Sequence, residues 1–557
     1  MDFKQKVVEL LKPELDLPVE KIAALIERPK NDSMGDYAFP AFILAKQLKK
    51  NPAMIASELA PKLQDEAFSK VEAVGPYVNF FINHEMLVAD TLKTVLTEKG
   101  DYGQVHASLG NVPIDMSSPN IAKPMSMGHL RSTVIGNSLS KIYAKVGYKP
   151  IKINYLGDYG TQFGKLIVAY KKWGNEDDVK KDPINNLFKY YVRFHQEAEE
   201  NPELDDEGRL WFKKLEEGDP EATELWQWFR SVSLEEFKRI YDELGVTFDS
   251  YNGEAFFNDK MDPVIQELKD KHLLTESRGA QVVELGEDEN PALIVKSDGT
   301  SIYLTRDLAA AEWRMNEYNF KKILYVVGNE QAEHFKQLKK VLKKMGHDWA
   351  DDIYHVPFGL ITQGGKKLST RKGNVVFLDQ VLKEAVSLAK EQIETKNPSL
   401  ANKDQVAHDV GVGAVIFHDL KNDRLDNFDF DLAEVVRFEG DTGPYVQYTN
   451  ARAQSILRKV GDVTSDSLAL SDEWAFSVAK EISYFPQVVE KAAERFEPSV
   501  IAKYALSLAK KFNKYYANVR ILDEDDQLGA RIALVKAVSI VLTEALDLLG
   551  VKAPSEM

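Results

Sequence analysis

An apolar run, Val112-Pro-Ile-Asp-Met116, is followed by a turn rich in proline and glycine, an amphipathic stretch from about Gly128 to Val146, and a second apolar run from Pro150 to Tyr155. Strand, helix and strand at this spacing form the unit of a doubly wound parallel sheet, so the chain is expected to carry a Rossmann-like α/β domain. Residues 170 to 255 are charged and helix-patterned and read as a helical insertion, after which strands are expected at Ala280 to Leu285, Ala292 to Lys296 and Ile323 to Val327. Residues 1 to about 80 mix helical patterns (Val7 to Leu11, Ala41 to Leu48, Met54 to Leu63) with a strand-like run, Tyr77 to Ile82, as in a small α+β module. From Gln380 onward the pattern is helical. The expected division is 1–105, 106–380 and 381–557, in a multidomain α/β chain with an all-α C-terminal domain.

Composition excludes several classes. At 557 residues the chain is too long for one core. Cysteine is absent and the ten histidines are scattered, so disulfides and a structural zinc are not expected. The N-terminus alternates charged and apolar residues and lacks a secretory core, and no run reaches the roughly 20 apolar residues of a membrane span, which points to the cytoplasm. A net charge of −16 means that any nucleic-acid surface must be a local basic patch.

The loop Ser117-Ser-Pro-Asn-Ile-Ala-Lys-Pro-Met-Ser-Met-Gly-His-Leu-Arg-Ser132 lies between the first strand and its helix, where an open parallel sheet binds ligands. Gly128 admits a close ligand, the helix N-terminus favours anions and His129 can hydrogen-bond phosphate, which together suit ATP. Alone, Met-Gly-His is a turn before a capped helix. With its flanks, Ser126-Met-Gly-His129 resembles the HIGH motif of class I aminoacyl-tRNA synthetases, and Ser-Pro-Asn-Ile-Ala-Lys-Pro before it and Leu-Arg-Ser-Thr after it resemble the arginyl-tRNA synthetases of bacteria. Ser126 stands where that motif has its first histidine. A second loop, Gln363-Gly-Gly-Lys-Lys-Leu-Ser-Thr-Arg-Lys-Gly-Asn374, concentrates positive charge in an acidic chain. Its Lys367-Leu-Ser-Thr-Arg371 resembles a degenerate KMSKS motif, with Thr370 in place of the second lysine. The resemblance implies catalytic roles for Lys123, Ser126, Gly128, His129, Lys367, Ser369 and Arg371, with Lys123 supplying the missing charge.

An arginine pocket needs acceptors for a planar cation and an aromatic face beside it. Tyr303 and Asp307 are four apart in a helix-patterned stretch and would share a face, while Gln331 follows a strand. Each alone fits a core, ion-pair or turn role. The resemblance implies that all three, with Asp115, Ser117 and Asn120, contact the amino acid, and Tyr155, Asp158 and Gln162 are candidates for the pocket wall. Carboxylates meeting the guanidinium would reject lysine without an editing site, because lysine leaves acceptors unpaired. The family's reaction needs positioning and charge stabilisation rather than a covalent nucleophile, with Mg2+ accompanying ATP.

The run Ile501 to Arg520 holds five basic residues, no acidic ones and interleaved aromatics, a composition suited to phosphates and unpaired bases. With Gly443 to Arg452 it resembles the anticodon-binding domain of arginyl-tRNA synthetases, which makes Lys510, Lys511, Tyr515 and Tyr516 candidate tRNA contacts. Gly35-Asp-Tyr-Ala-Phe-Pro40 resembles their N-terminal tRNA-binding domain. The implied partners are tRNA(Arg), L-arginine and ATP, with a monomeric chain. Two other readings stay open here: another class I synthetase, and a noncatalytic RNA-binding relative, suggested by Ser126 and Thr370.

Overall fold

The computed structural model describes residues 2–29, 31–297, 302–364, 366–367, 376–461 and 463–557. The chain packs as two compact units. One comprises Met1–Tyr102, Thr449–Pro486 and Ser507–Leu542, the other Gly103–Tyr448, Gln487–Leu506 and Thr543–Met557.

In the second unit β1 (Asn111–Asp115), α1 (Met127–Lys145) and β2 (Lys149–Ile153) form the expected strand, helix and strand. Further on, α2 (Tyr303–Tyr318) precedes β3 (Ile323–Val326), and α3 (Ala332–Lys344) precedes β4 (Ile353–Val356). The four strands pair in parallel in the order β4-β3-β1-β2. Every residue of β3 is buried, as a parallel strand covered on both faces requires. Leu304, Leu308 and Ala311 of α2 and Leu338, Val341 and Leu342 of α3 fill the core beside it. Because β2 flanks β1 on one side and β3 on the other, the chain leaves the carboxyl ends of β1 and β3 in opposite directions, and a crevice opens there.

The insertion is helical, as expected: Thr161–Trp173, Glu176–Lys181, Pro183–Glu200, Glu203–Glu216 and Pro220–Leu244. The strands expected near Ala280 and Ala292 form, but outside the parallel sheet. Leu274–Ser277, Ala280–Val283 and Ala292–Val295 make a separate antiparallel sheet. The C-terminal region contains the helices Leu378–Lys396, Lys403–Lys421, Leu432–Val435, Gly443–Val460, Glu473–Ser483, Phe485–Arg495, Ser499–Asn518 and Leu528–Leu548. Among the described residues no helix is long and apolar enough to cross a membrane.

In the other unit Tyr37–Pro40, Tyr77–Ile82 and Phe68–Val74 form a three-stranded antiparallel sheet in that order, packed through Phe3, Phe39, Phe68 and Phe80. The Gly35–Pro40 motif has a physical reason here. Gly35 has φ +93°, and a Cβ there would lie 2.8 Å from the Phe80 carbonyl oxygen. Asp36 then accepts a hydrogen bond from the Ile82 N–H at 2.8 Å and pairs with Lys480. The helix His84–Glu98 packs against Glu473–Ser483, with His84 stacked on Phe476.

Candidate active site

The loop leaving β1 ends at Ser126, in extended conformation at the start of α1. The Ser126 backbone N–H donates to His129 Nδ1 at 3.0 Å, and the Ser126 carbonyl accepts from the His129 N–H at 2.9 Å. Burial lowers the His129 pKa, so the ring is neutral at ordinary pH. A nitrogen that accepts from an N–H carries no proton, which leaves the proton on Nε2 as a donor for a phosphate oxygen. Ser126 therefore holds the His129 ring in one tautomer, a role that its backbone performs and that the missing imidazole does not affect.

The stretch that follows the second loop meets the first through backbone. Leu378 N–H donates to the Met125 carbonyl at 2.9 Å, and Ser126 and Phe377 form an antiparallel bridge. Lys367 belongs to the short strand Lys366–Lys367, paired antiparallel with Thr362 and Gln363. Ser369 and Arg371 lie outside the described residues. The Lys123 ammonium stands over the Tyr191 ring of the insertion at 4.6 Å, and burial lowers its pKa. Gly128, in the first turn of α1, is exposed.

Three of the residues expected to touch an amino acid line up along the carboxyl edge. Tyr303 begins α2 and is 67% exposed; Asp307 follows one turn later; Gln331 is exposed just after β3, at the cap of α3. Asn120 lies beside Gly157, where a Cβ would fall 2.1 Å from Asn120 Oδ1, so glycine at 157 is what leaves room for the asparagine side chain. Both Asp307 oxygens are engaged: Tyr155 OH donates to Oδ1 at 3.2 Å and His334 Nε2 to Oδ2 at 2.6 Å. Burial, then the Asp307 charge, push the Tyr155 phenol well above its ordinary pKa, so it remains a donor.

Two of the expected residues have partners within the protein. Asp115 is buried at the end of β1 with Oδ2 held by Arg314 Nη1 at 2.7 Å, and the guanidinium stands over the Tyr155 ring at 5.2 Å. Its carboxylate is met by that guanidinium within the protein. Ser117 is fully buried, and its hydroxyl bonds Tyr241 OH at 2.7 Å, tying the loop to the insertion. Asp158 is likewise internal, paired with Arg230 at 2.8 Å and accepting from the Ala255 N–H. The sequence reading missed Glu254, Arg306 and His334. Arg306 lies 3.7 Å from Glu254 and 5.9 Å from the Tyr303 ring centre.

In the other unit, Lys510 and Tyr516 are exposed, and Arg452 stands over the Tyr516 ring at 4.9 Å. Lys511 pairs with Glu481 at 2.6 Å. Tyr515 is fully buried, so the expectation that it stacks on a base fails: it faces inward one position before Tyr516, as helical periodicity requires of a core residue.

Three family models match successive stretches of the chain. The family described as the class I (R) tRNA synthetase catalytic domain matches residues 91–432, the arginyl tRNA synthetase N-terminal domain residues 1–82, and the DALR anticodon binding domain residues 446–557. The arginine–tRNA ligase of Lactobacillus acidophilus is 76% identical over 561 residues, covering all of both chains, and that of Lactobacillus johnsonii is 74% identical over 558, again covering all of both. The chain belongs to the arginyl-tRNA synthetase family. A solved arginyl-tRNA synthetase of Thermus thermophilus has a TM-score of 0.83 at 27% identity, covering 100% of this chain and 99% of that one.

In this arginyl-tRNA synthetase, Glu254 lies near Arg306 and Asp307. Burial raises its pKa from 4.5 to about 7, with Arg306 lowering it and Asp307 and Asp158 raising it. The group is protonated below about pH 7 and ionised above. A guanidinium is charged throughout this range, so arginine bound beside Glu254 would favour the ionised form and release a proton. The KM for arginine is expected to fall severalfold as pH rises from 6 to 8, and Glu254→Gln should flatten this dependence. A pH profile of the variant that matches the unmodified enzyme would rule Glu254 out as the source.

Proposed function

We propose that this arginyl-tRNA synthetase activates L-arginine with ATP and esterifies it to the 3′-terminal adenosine of tRNA(Arg), acting in the cytoplasm as a monomer. ATP lies across the loop from Met125 to Leu130, its phosphates meeting His129 Nε2–H, the N–H groups opening α1, and the charges of Lys123 and Lys367. Mg2+ accompanies ATP, bound by phosphate and water. Arginine lies along the carboxyl edge with its guanidinium on Asp307, beside Tyr303, and with Gln331 and Asn120 toward its backbone end.

A carboxylate oxygen of arginine attacks the α-phosphorus, forming arginyl-adenylate and releasing pyrophosphate. A hydroxyl of the terminal adenosine then attacks the adenylate's carbonyl and AMP leaves. Neither step needs a protein nucleophile; the protein orients the reactants and stabilises charge. Residues 1–105 and 381–557 serve tRNA binding, with Lys510, Tyr516 and Arg452 on the anticodon side.

The observation that carries this reading is the juxtaposition, at one switch point, of a phosphate-donor histidine held in one tautomer after β1 and a doubly held carboxylate beside the loop after β3. ATP–pyrophosphate exchange tests it. Exchange is expected with arginine alone among the amino acids when tRNA is present; absence of exchange with every amino acid, with and without tRNA, would leave an RNA-binding relative in its place.

A further inference from the structure

We propose that His334 is a positioning residue for amino-acid selection: it locks the Asp307 carboxylate in the orientation that reads the substrate guanidinium. The proposal rests on Asp307 being the guanidinium acceptor. An aspartate side chain has two rotatable bonds, and a partly exposed carboxylate ordinarily samples several orientations. Asp307 is 21% exposed, yet both of its oxygens are pinned from different elements. Tyr155, just beyond β2, holds Oδ1, and His334, in the first turn of α3, holds Oδ2 at 2.6 Å.

The His334 anchor is itself rigid. Phe335, the next residue, is buried, stacks on His355 at 4.6 Å and packs against Tyr325 at 4.9 Å, which fixes the first turn of α3 against β3 and β4. His355 Nε2 lies 2.9 Å from the Val327 carbonyl, so that ring too is held by the backbone leaving β3. Gln331 and His334 thus ride on one short segment, and the same packing that sets Gln331 sets Asp307. A carboxylate has room for about four hydrogen bonds. With one donor on each oxygen it keeps capacity for the guanidinium while losing the freedom to swing toward the neighbouring Arg306. Preorganisation of this kind lowers what binding must spend on ordering the site.

Steady-state exchange kinetics in the presence of tRNA, with the full chain, test this. His334→Ala should raise the KM for arginine about 10- to 100-fold, the range expected for a lost hydrogen bond to a charged group, while the KM for ATP and kcat stay within about twofold. His334→Gln, which retains an N–H donor, should recover most of the loss; a residue that merely filled space would be rescued equally by His334→Phe. In an Asp307→Asn background, His334→Ala should add little, because the orientation it sets no longer matters. If Asp307→Asn alone leaves the arginine KM unchanged, the reading of Asp307 fails. If Asp307→Asn raises it and neither His334→Ala nor His334→Phe does, the positioning role fails while that reading stands. An equal change in the KM values for ATP and arginine would also overturn it.

Discussion

Replacing Asp307 by asparagine is expected to lower kcat/KM for arginine about 100-fold while leaving the KM for ATP within about twofold. The amide keeps the shape of the side chain and can still accept from Tyr155 or His334, but it carries no charge and turns an NH2 toward a ligand that is itself all donors. Removing one partner of a shielded, hydrogen-bonded charge pair costs about 2–5 kcal/mol, and about 3 kcal/mol corresponds to roughly two orders of magnitude. The loss should appear in the arginine KM rather than in nucleotide binding, because the proposed ATP site lies on the loop before α1, whose backbone contacts with Phe377 and Leu378 do not involve Asp307. Exchange assays varying arginine and ATP separately would show the split, and a variant with an unchanged arginine KM would place the guanidinium elsewhere.

Arg314→Leu should destabilise the catalytic unit by about 3–5 kcal/mol, because it strands the Asp115 carboxylate in the core without a counter-charge. The pair is almost completely enclosed, with side chains 1% and 4% exposed, and the guanidinium also fills the space against Tyr155 and Tyr325. A chain of two units does not unfold in one step, so the shift should be read from the calorimetric transition that carries the loss. A drop of about 5 °C or more is expected for that transition. The double variant Asp115→Asn, Arg314→Leu should recover part of it, since no buried charge remains. A single variant melting within about 1 °C of the unmodified chain would mean that Asp115 is hydrated or neutral, and its carboxylate would again be open to a substrate.

The parallel unit around β1, α1 and β2 was legible because strand, turn and helix periods switch cleanly within one contiguous stretch. The short runs at Ala280 and Ala292 were legible as strands but not in their pairing: four apolar residues look alike in a parallel or an antiparallel sheet, and the partner is chosen by the fold. The same limit applies inside the site. Tyr303, Asp307 and Gln331 could be found from the family's motifs and from helical spacing, and the structure brings them to one edge. Asp115 and Ser117 sit in the same recognisable segment, yet their partners, Arg314 and Tyr241, lie about 200 and 124 positions away, a separation that no local pattern encodes. Glu254, Arg306 and His334 are single polar residues in unremarkable surroundings, and their meaning comes from what they face. Tyr515 and Tyr516 show the reverse: composition marked both as base-stacking candidates, and one helical step decides that one is core and the other surface.

Aminoacylation is the most direct measurement: total bacterial tRNA incubated with the purified chain, ATP and each labelled amino acid in turn, with acid-precipitable label counted. Arginine alone should be esterified, and Asp307→Asn should reduce its incorporation at limiting arginine. Charging of a different amino acid, or tRNA binding without esterification of any, would contradict the assignment of this pocket to arginine and of this site to ligation.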